Sequence, residues 1–483
     1  MSGRGLIGLV STLALLSGCG GGDGGGSGGA APVGAGAGAG TGATPAPTAS
    51  CSVRERQDWV AGQLREWYLF PETLPAALDP AGFGTVDAYL DALTATARSQ
   101  RRDRFFTFVT SIREENAFNS SGSTAGFGVR LSYDTAANRV FVSEAFEGAP
   151  ALAAGVDRGA EILSLGASAG NLVSSRSILQ AGGPGAFVQA LGPDGPGVTR
   201  FFRIRDANGA ERDVSIAKAD FALEPVSPRY GAKVIQDGGR RVGYLNLRTF
   251  IRPADPQLRR AFADFRAQGV TEVIVDFRYN GGGLVTTAEL MGDLLAANRS
   301  PSDVQGFTTF RPEKAENNTT RFYQPQLESI APTRIAFIGT GGTASASEFV
   351  INATLPYLRG NAGLIGSNTF GKPVGQIGLD LAQCDLRLRV VALATQNANR
   401  QGDYYDGLAT KVESSCSAAD DVLLPLGDPR EASTRAALDF LAGRPCQRIA
   451  TGEARSLSLG EGRRTLLTPE RPAVAQREVP GLF

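Results

Sequence analysis

The chain of 483 residues contains no histidine. That absence removes every relay that pairs a serine or cysteine nucleophile with histidine, and every histidine-ligated metal site. A charge excess is missing too. Lysine plus arginine and aspartate plus glutamate both number 48, and no basic cluster stands out, so nothing points to a nucleic-acid partner. Cysteine is scarce, with five in all. The apolar run over residues 6–16 is too short to span a bilayer as a helix.

What is present starts with an export signal. Arg4 supplies positive charge ahead of that apolar run, and Leu16-Ser17-Gly18-Cys19 resembles a bacterial lipobox. Residues 1–19 therefore read as a lipoprotein signal peptide, with Cys19 as the lipidated residue; the alternative is an ordinary signal peptide cleaved nearby. Gly20 follows the cysteine where an aspartate would signal retention. By analogy with lipoprotein sorting this places the protein in the bacterial cell envelope, anchored in the outer membrane and facing the periplasm. Residues 20–50 are almost wholly Gly, Ala, Thr, Ser and Pro and cannot bury a core. They read as a flexible tether with a reach of about 30 Å.

Four cysteines remain, Cys51, Cys384, Cys416 and Cys446, an even number that favours two disulfides in an exported chain. Three pairings are possible and the sequence does not choose. The preference is for Cys384 with Cys416 and Cys51 with Cys446.

The chemistry concentrates between Arg334 and Gln376. Ile335-Ala336-Phe337-Ile338 is short enough for a buried strand, and Gly339-Thr340-Gly341-Gly342 is a glycine-loaded turn. A helical pattern with Phe349, Val350 and Leu355 follows. Ser345 stands at the strand-to-helix turn, where the helix N-terminus favours developing negative charge. Without histidine, its base must be a lysine or a carboxylate. Lys372 lies 27 residues on in a glycine-rich loop, a separation that suits a helix returning to a neighbouring strand.

Ser345-Ala346-Ser347-Glu348, then Gly371-Lys372 with Gln376 four residues on, resembles the C-terminal processing (tail-specific) peptidases. Asp276-Phe277-Arg278-Tyr279-Asn280-Gly281-Gly282-Gly283 is similar to a glycine turn of that family. The resemblance covers roughly residues 51–445. It implies a Ser–Lys endopeptidase with Ser345 as nucleophile, Lys372 as general base and Gln376 orienting the lysine. It also implies an oxyanion hole from the backbone N–H of Gly282 or Gly283 and that of Ala346. Protein or peptide substrates follow, with no cofactor and no metal.

The fold class implied is a multi-domain α/β chain. Residues 51–118 read as a helical N-terminal domain, with Val60, Leu64 and Trp67, and Val86, Leu90 and Leu93, at helical spacing. Residues 119–222 resemble a PDZ domain, on Gly126-Phe127-Gly128-Val129 as a carboxylate-binding turn and on Ala154-Gly155-Val156, Gly159 and Ile162-Leu163. Ala160 stands where such domains usually carry aspartate. Residues 230–446 read as the peptidase core, built of strand–turn–helix units. Asp255 is expected to cap a helix with Pro256 first and Gly269 after its end, and Asp428-Pro429 to start the last helix. Pro356 is expected to kink or end the Ser345 helix, and residues 447–483 form a mobile tail.

Two motifs are decoys. Gly166-Ala167-Ser168-Ala169-Gly170 matches a nucleophile elbow, but no histidine exists to serve it and no helix pattern follows. Ser215-Ile216-Ala217-Lys218 matches S-x-x-K, but lies in an alternating run that reads as an edge strand. The rival to peptidase activity is a catalytically silent peptide-binding envelope lipoprotein. A lipid or ester hydrolase would favour a histidine base.

Overall fold

In a computed structural model the chain divides into two units, residues 1–48 and 49–483, and residues 51–451 and 464–483 are described. The signal segment 1–19 with Cys19, and the tether 20–50, lie outside the described residues.

The centre is a six-stranded sheet whose strands follow one another in chain order: Ala232–Asp237, Arg240–Asn246, Glu272–Asp276, Arg334–Gly339, Ala362–Gly366 and Ser414–Ser417. The first pair is antiparallel and the rest run parallel. Side chains alternate across it, as strand geometry requires. Leu245, Val273, Val275, Ile335, Phe337 and Leu364 face the helices Ala254–Ala267, Val285–Leu294 and Ala346–Leu358. Tyr244, Ile274, Ala336, Ile338 and Ile365 face the helix Ala432–Leu441 on the other side. Sequential strand order with right-handed crossovers stacks the three crossover helices on one face. Adjacent parallel strands then end side by side, Asp276 against Ile338. The turns that leave those two ends are therefore neighbours.

A second sheet carries the lysine. The hairpin Val374–Leu381 and Leu386–Gln396 begins two residues after Lys372, and its long strand also pairs with Phe108–Thr110 and Val304–Phe310. The N-terminal helices Val53–Trp67 and Val86–Leu93 bury Val60, Leu64, Leu90 and Leu93 against Leu388, Val390 and Val391. Phe108–Thr110, which the helical reading of 51–118 missed, stitches that segment into this sheet.

Residues 123–222 form a seven-stranded sheet together with Arg464–Leu466, plus the two-stranded pair Ser123–Gly126 and Ala219–Ala222. Its interior holds Phe127, Leu131, Val142, Ile162, Phe187 and Phe202, with Ala160 among them.

Several expectations are corrected. The disulfides are Cys51–Cys384 and Cys416–Cys446. Cys384 sits at the hairpin turn against which the N-terminal helices pack, and the helix Ala432–Leu441 returns Cys446 beside the strand of Cys416. Residues 464–483 are no mobile tail; they form the strand Arg464–Leu466 and the helix Val474–Glu478, and Leu467 and Val479 are fully buried. The helix expected to be capped by Asp255, with Pro256 first, starts at Ala254 with Pro253 at its N-cap, and Gly269 lies beyond its end at φ 65°. The last core helix starts at Ala432 on a Glu431 cap, because Asp428 is spent on a turn with Arg430. Pro356 does not end its helix, which runs to Leu358. The Asn352 carbonyl, which proline leaves without its helical donor, accepts from Asn397 Nδ2 at 3.4 Å.

Candidate active site

Ser345 is the N-cap of Ala346–Leu358 and holds φ 54°, ψ −113°. A non-glycine residue in this region costs on the order of 1–3 kcal/mol and persists only where its surroundings over-determine it. Here they do. Its N–H donates to Glu348 Oε2 at 3.0 Å, and before it Thr343 Oγ1 donates to the Phe277 carbonyl at 2.8 Å while the Ala344 N–H donates to the Asn280 carbonyl at 3.0 Å.

The glycine turn is held from below by charge. Arg278, fully buried, pairs with Asp276 at 3.0 Å and with both oxygens of Glu431 at 2.9 Å. Tyr244 Oη donates to Asp276 at 2.7 Å. Burial raises Asp276 above its usual value against the pull of Arg278. Burial would raise Glu431 too, but the Arg278 charge and hydrogen bonds hold it down at about 2. Asn280 then locks turn to turn: its Nδ2 donates to the Leu247 carbonyl at 2.9 Å, and its carbonyl accepts from Ser347 Oγ at 3.1 Å.

Gly282 and Gly283 have φ 122° and 133°. A Cβ on Gly282 would lie 2.8 Å from Ser345 Cβ and 3.2 Å from the Ala346 nitrogen, so the bare backbone lies against the serine. The Gly282 N–H is turned inward, donating to Asn280 Oδ1 at 2.9 Å. Among the described residues the N–H groups of Gly283 and Ala346 donate to nothing. Of the three amides singled out in sequence, those two are free for a ligand.

Lys372 reaches the same place from the second sheet. Its Nζ donates to Gln376 Oε1 at 2.7 Å, and Gln376 Nε2 donates to the Phe106 carbonyl. Among the described residues no hydrogen bond joins Lys372 Nζ to Ser345 Oγ. Lys372 keeps part of its surface open yet is closely enclosed, its Nζ 5.4 Å from the centre of the Phe106 ring. That enclosure pushes its ammonium below the ordinary lysine value; Glu478, Asp103 and Glu348 oppose the shift and Arg477 adds to it.

Glu348 is the residue to which the sequence reading gave no role. Its fully buried carboxylate accepts from the N–H of Ser345 and of Lys372, both on Oε2, and from Thr369 Oγ1 and the Gly371 N–H at 2.6 and 2.7 Å on Oε1. Burial raises its pKa, and these four donors counter that. The signal was legible: Ser345-x-x-Glu348 is a capping-box pattern. Arg104 was also missed. It donates to the carbonyls of Phe370 and Gly371 at 2.7 and 2.6 Å and pins the lysine loop from outside.

The other motifs lie apart. Ser168 is exposed on a bend; a helix does follow, starting at Ser175. Ser215 is exposed on its strand, while buried Lys218 donates to the carbonyls of Gly192 and Pro193. Gly128 and Val129 direct their N–H groups at the main-chain oxygen of Phe483, at 2.8 and 3.1 Å.

A strained serine at a helix N-terminus, two free amides beside it and an enclosed lysine define a candidate hydrolase centre that needs no histidine. Comparison with known proteins narrows the class. Residues 241–405 match peptidase family S41 and residues 55–108 match the peptidase S41 N-terminal domain. The chain thus carries peptidase family S41 domains over these residues, and its relatives include C-terminal processing peptidases. Among relatives, the chloroplastic C-terminal processing peptidase of Tetradesmus obliquus is 28% identical over 275 residues, covering 54% of this chain and 54% of that protein. The chloroplastic carboxyl-terminal-processing peptidase 3 of Arabidopsis thaliana is 26% identical over 326 residues, covering 65% of this chain and 56% of the relative. The chain thus spans little more than half the length of these relatives. In three dimensions, a Bacteroides fragilis protein assigned to the S41 proteases superposes with a TM-score of 0.61 at 24% identity, over 80% of this chain and 97% of that one, a likeness of fold.

Proposed function

We propose that this protein is a serine endopeptidase of the C-terminal processing type, acting through Ser345 and Lys372. The observation that carries the reading is Glu348. One carboxylate oxygen takes the N–H of both Ser345 and Lys372, holding nucleophile and base on a common pivot. Neutral Lys372 would take the Ser345 proton as Oγ attacks the scissile carbonyl carbon. The N–H groups of Gly283 and Ala346 would bind the resulting oxyanion, at the positive end of the helix. The ammonium would return its proton to the leaving amine, and water would then cleave the acyl-enzyme with Lys372 again as base. Gln376 Oε1, by accepting one N–H of Lys372, fixes which way the amine points.

The substrates proposed are exported or cell-envelope proteins cut near their C-termini, with residues 119–222 acting as a PDZ-like module that holds the tail. The names of the curated relatives support C-terminal processing. The Cys19 anchor and an outer-membrane position facing the periplasm belong to the same proposal, on the lipobox-like Leu16-Ser17-Gly18-Cys19. A second reading, a peptide-binding protein with a silent centre, draws on one observation: the hydrogen bond of Lys372 Nζ goes to Gln376 and not to Ser345. Cleavage of casein or of a tailed protein decides between them. Ser345→Ala should abolish cleavage by the purified protein with its fold intact. Equal cleavage by wild type and Ser345→Ala would refute the reading.

A further inference from the structure

The edge strand Val129–Asp134 is filled from the far end of the sequence. Arg464–Leu466 pairs antiparallel with Ser132, Tyr133 and Asp134, and the Leu467 N–H donates to the Leu131 carbonyl at 2.9 Å. Residues 481–483 take the rest of the same edge. The Leu131 N–H donates to the Gly481 carbonyl at 2.8 Å, and the Phe483 N–H to the Val129 carbonyl at 2.9 Å. The Phe483 main-chain oxygen receives the N–H groups of Gly128 and Val129, the position a peptide's terminal carboxylate would take. The Phe483 ring, only 4% exposed, lies in the apolar interior with Phe127, Leu131, Phe187 and Phe202. A Cβ on Gly126 would stand 2.8 Å from the Phe483 carbonyl carbon, so glycine permits this approach.

Five residues upstream the same segment lies in the catalytic cleft. The Gly281 N–H donates to the Glu478 carbonyl at 2.9 Å, and a Cβ on Gly281 would strike the Arg477 carbonyl at 2.0 Å. Leu466 packs on Gly342 of the serine turn, its Cδ1 2.7 Å from where a Cβ would be. The Glu478 carboxylate opposes the lowering of the Lys372 ammonium, and its Oε2 is buried without a hydrogen-bond donor. Arg130 of the edge strand joins the two places, donating to the Pro480 carbonyl at 3.0 Å and to the Tyr279 carbonyl at 3.5 Å.

We propose that residues 464–483 are a built-in competitor: they occupy the peptide groove with Phe483 and the catalytic cleft with Arg477 and Glu478, and a substrate tail must displace them. The groove would therefore take a peptide with an aromatic or large apolar residue where Phe483 lies, since its present occupant has that shape. An unpaired carboxylate oxygen beside a lysine that must become neutral is a contact that opposes catalysis and is lost on displacement. The inference rests on the peptidase reading only for its effect on rate; occupancy of the groove is independent of it.

The test uses the full chain carrying Ser345→Ala and a fluorescent synthetic peptide of residues 474–483 with a free carboxylate. Phe483→Asp should release the segment, so this protein should bind the peptide at least about tenfold more tightly than Ser345→Ala alone. The amidated peptide should bind weakly to both. Trypsin should then also cut at Arg477, which docking half-buries. With Ser345 restored, Phe483→Asp should cleave substrate faster, mainly through a lower KM. Tighter peptide binding with no cleavage by any variant would uphold the occupancy and sink the peptidase reading. Val479→Asp, which breaks docking outside the groove, repeats the test should Phe483→Asp fail to fold. Unchanged peptide affinity in a folded release variant would overturn the proposal. So would unfolding of both variants, which would make the segment a permanent strand of the sheet.

Discussion

The candidate centre and the proposed peptide groove are built alike, each from a strand that runs into a glycine turn, yet they are completed from different distances. The serine turn closes on residues within about one strand–helix–strand unit: Glu348, Thr369, Gly371 and Lys372. The groove closes on residues 464–483, some 350 positions from the strand they join. Local completion makes a rigid site. Completion by a remote segment leaves the occupant a separate piece of chain, held by strand pairing and by the buried Leu467, Val479 and Phe483, and its exchange is what the proposal above requires.

That difference can be broken first at its most rigid part. Arg278→Met leaves Asp276 and Glu431 buried without their partner, and removing one side of a buried ion pair costs about 3–5 kcal/mol. Denaturant unfolding should show that loss; a change near zero would mean the charge cluster does not hold the glycine turn. Next in size is Glu348→Ala. It removes the shared pivot, and misplacing catalytic groups by an ångström costs about 10²-fold, so kcat should fall by that order while the protein stays folded. Unchanged kcat would show that serine and lysine are positioned by other contacts.

A third change sharpens the comparison by joining its two halves. Lysine carries charge in its protonated form, so the Glu478 carboxylate raises the Lys372 pKa while enclosure lowers it further in the other direction. Glu478→Gln should move the Lys372 titration, followed by NMR of its side chain, to lower pH. Arg477, Asp103 and Glu348 are left in place, so a midpoint that stays or rises would mean that the 464–483 segment does not lie over the lysine in solution. Smallest is Gln376→Ala. Losing one orienting hydrogen bond should cost about 0.5–1.5 kcal/mol in kcat/KM, less than loss of Lys372 itself; full activity would reduce Gln376 to a structural residue.

The same contrast explains what the sequence made legible. The apolar run, the glycines, the serine before a helix and the lysine 27 residues on all act locally, so periodicity and turn chemistry expose them. Even Glu348 had a visible pattern. The groove's occupant had none: Arg464–Leu466 is three residues long, Val474–Glu478 one turn and a half, and neither shows a period before its partner strand is known. The disulfides failed for a related reason. Their pairing depends on where a hairpin tip at Cys384 and a helix return at Cys446 fall in space, which spacing does not encode. The inward turn of the Gly282 N–H depends on the Asn280 rotamer, and no motif states it.

The claim on which the rest depends is that Lys372 is the base for Ser345. The direct measurement is kcat/KM for a tailed substrate from neutral to alkaline pH, with wild type, Lys372→Arg and Lys372→Ala side by side. A base must be neutral, so the wild-type rate should rise with pH through one ionisation whose midpoint lies below the lysine value of 10.5, as enclosure dictates. Both variants should be inactive at every pH while keeping the fold. Substantial activity in either variant, or a wild-type profile that falls as pH rises through that range, would contradict the account.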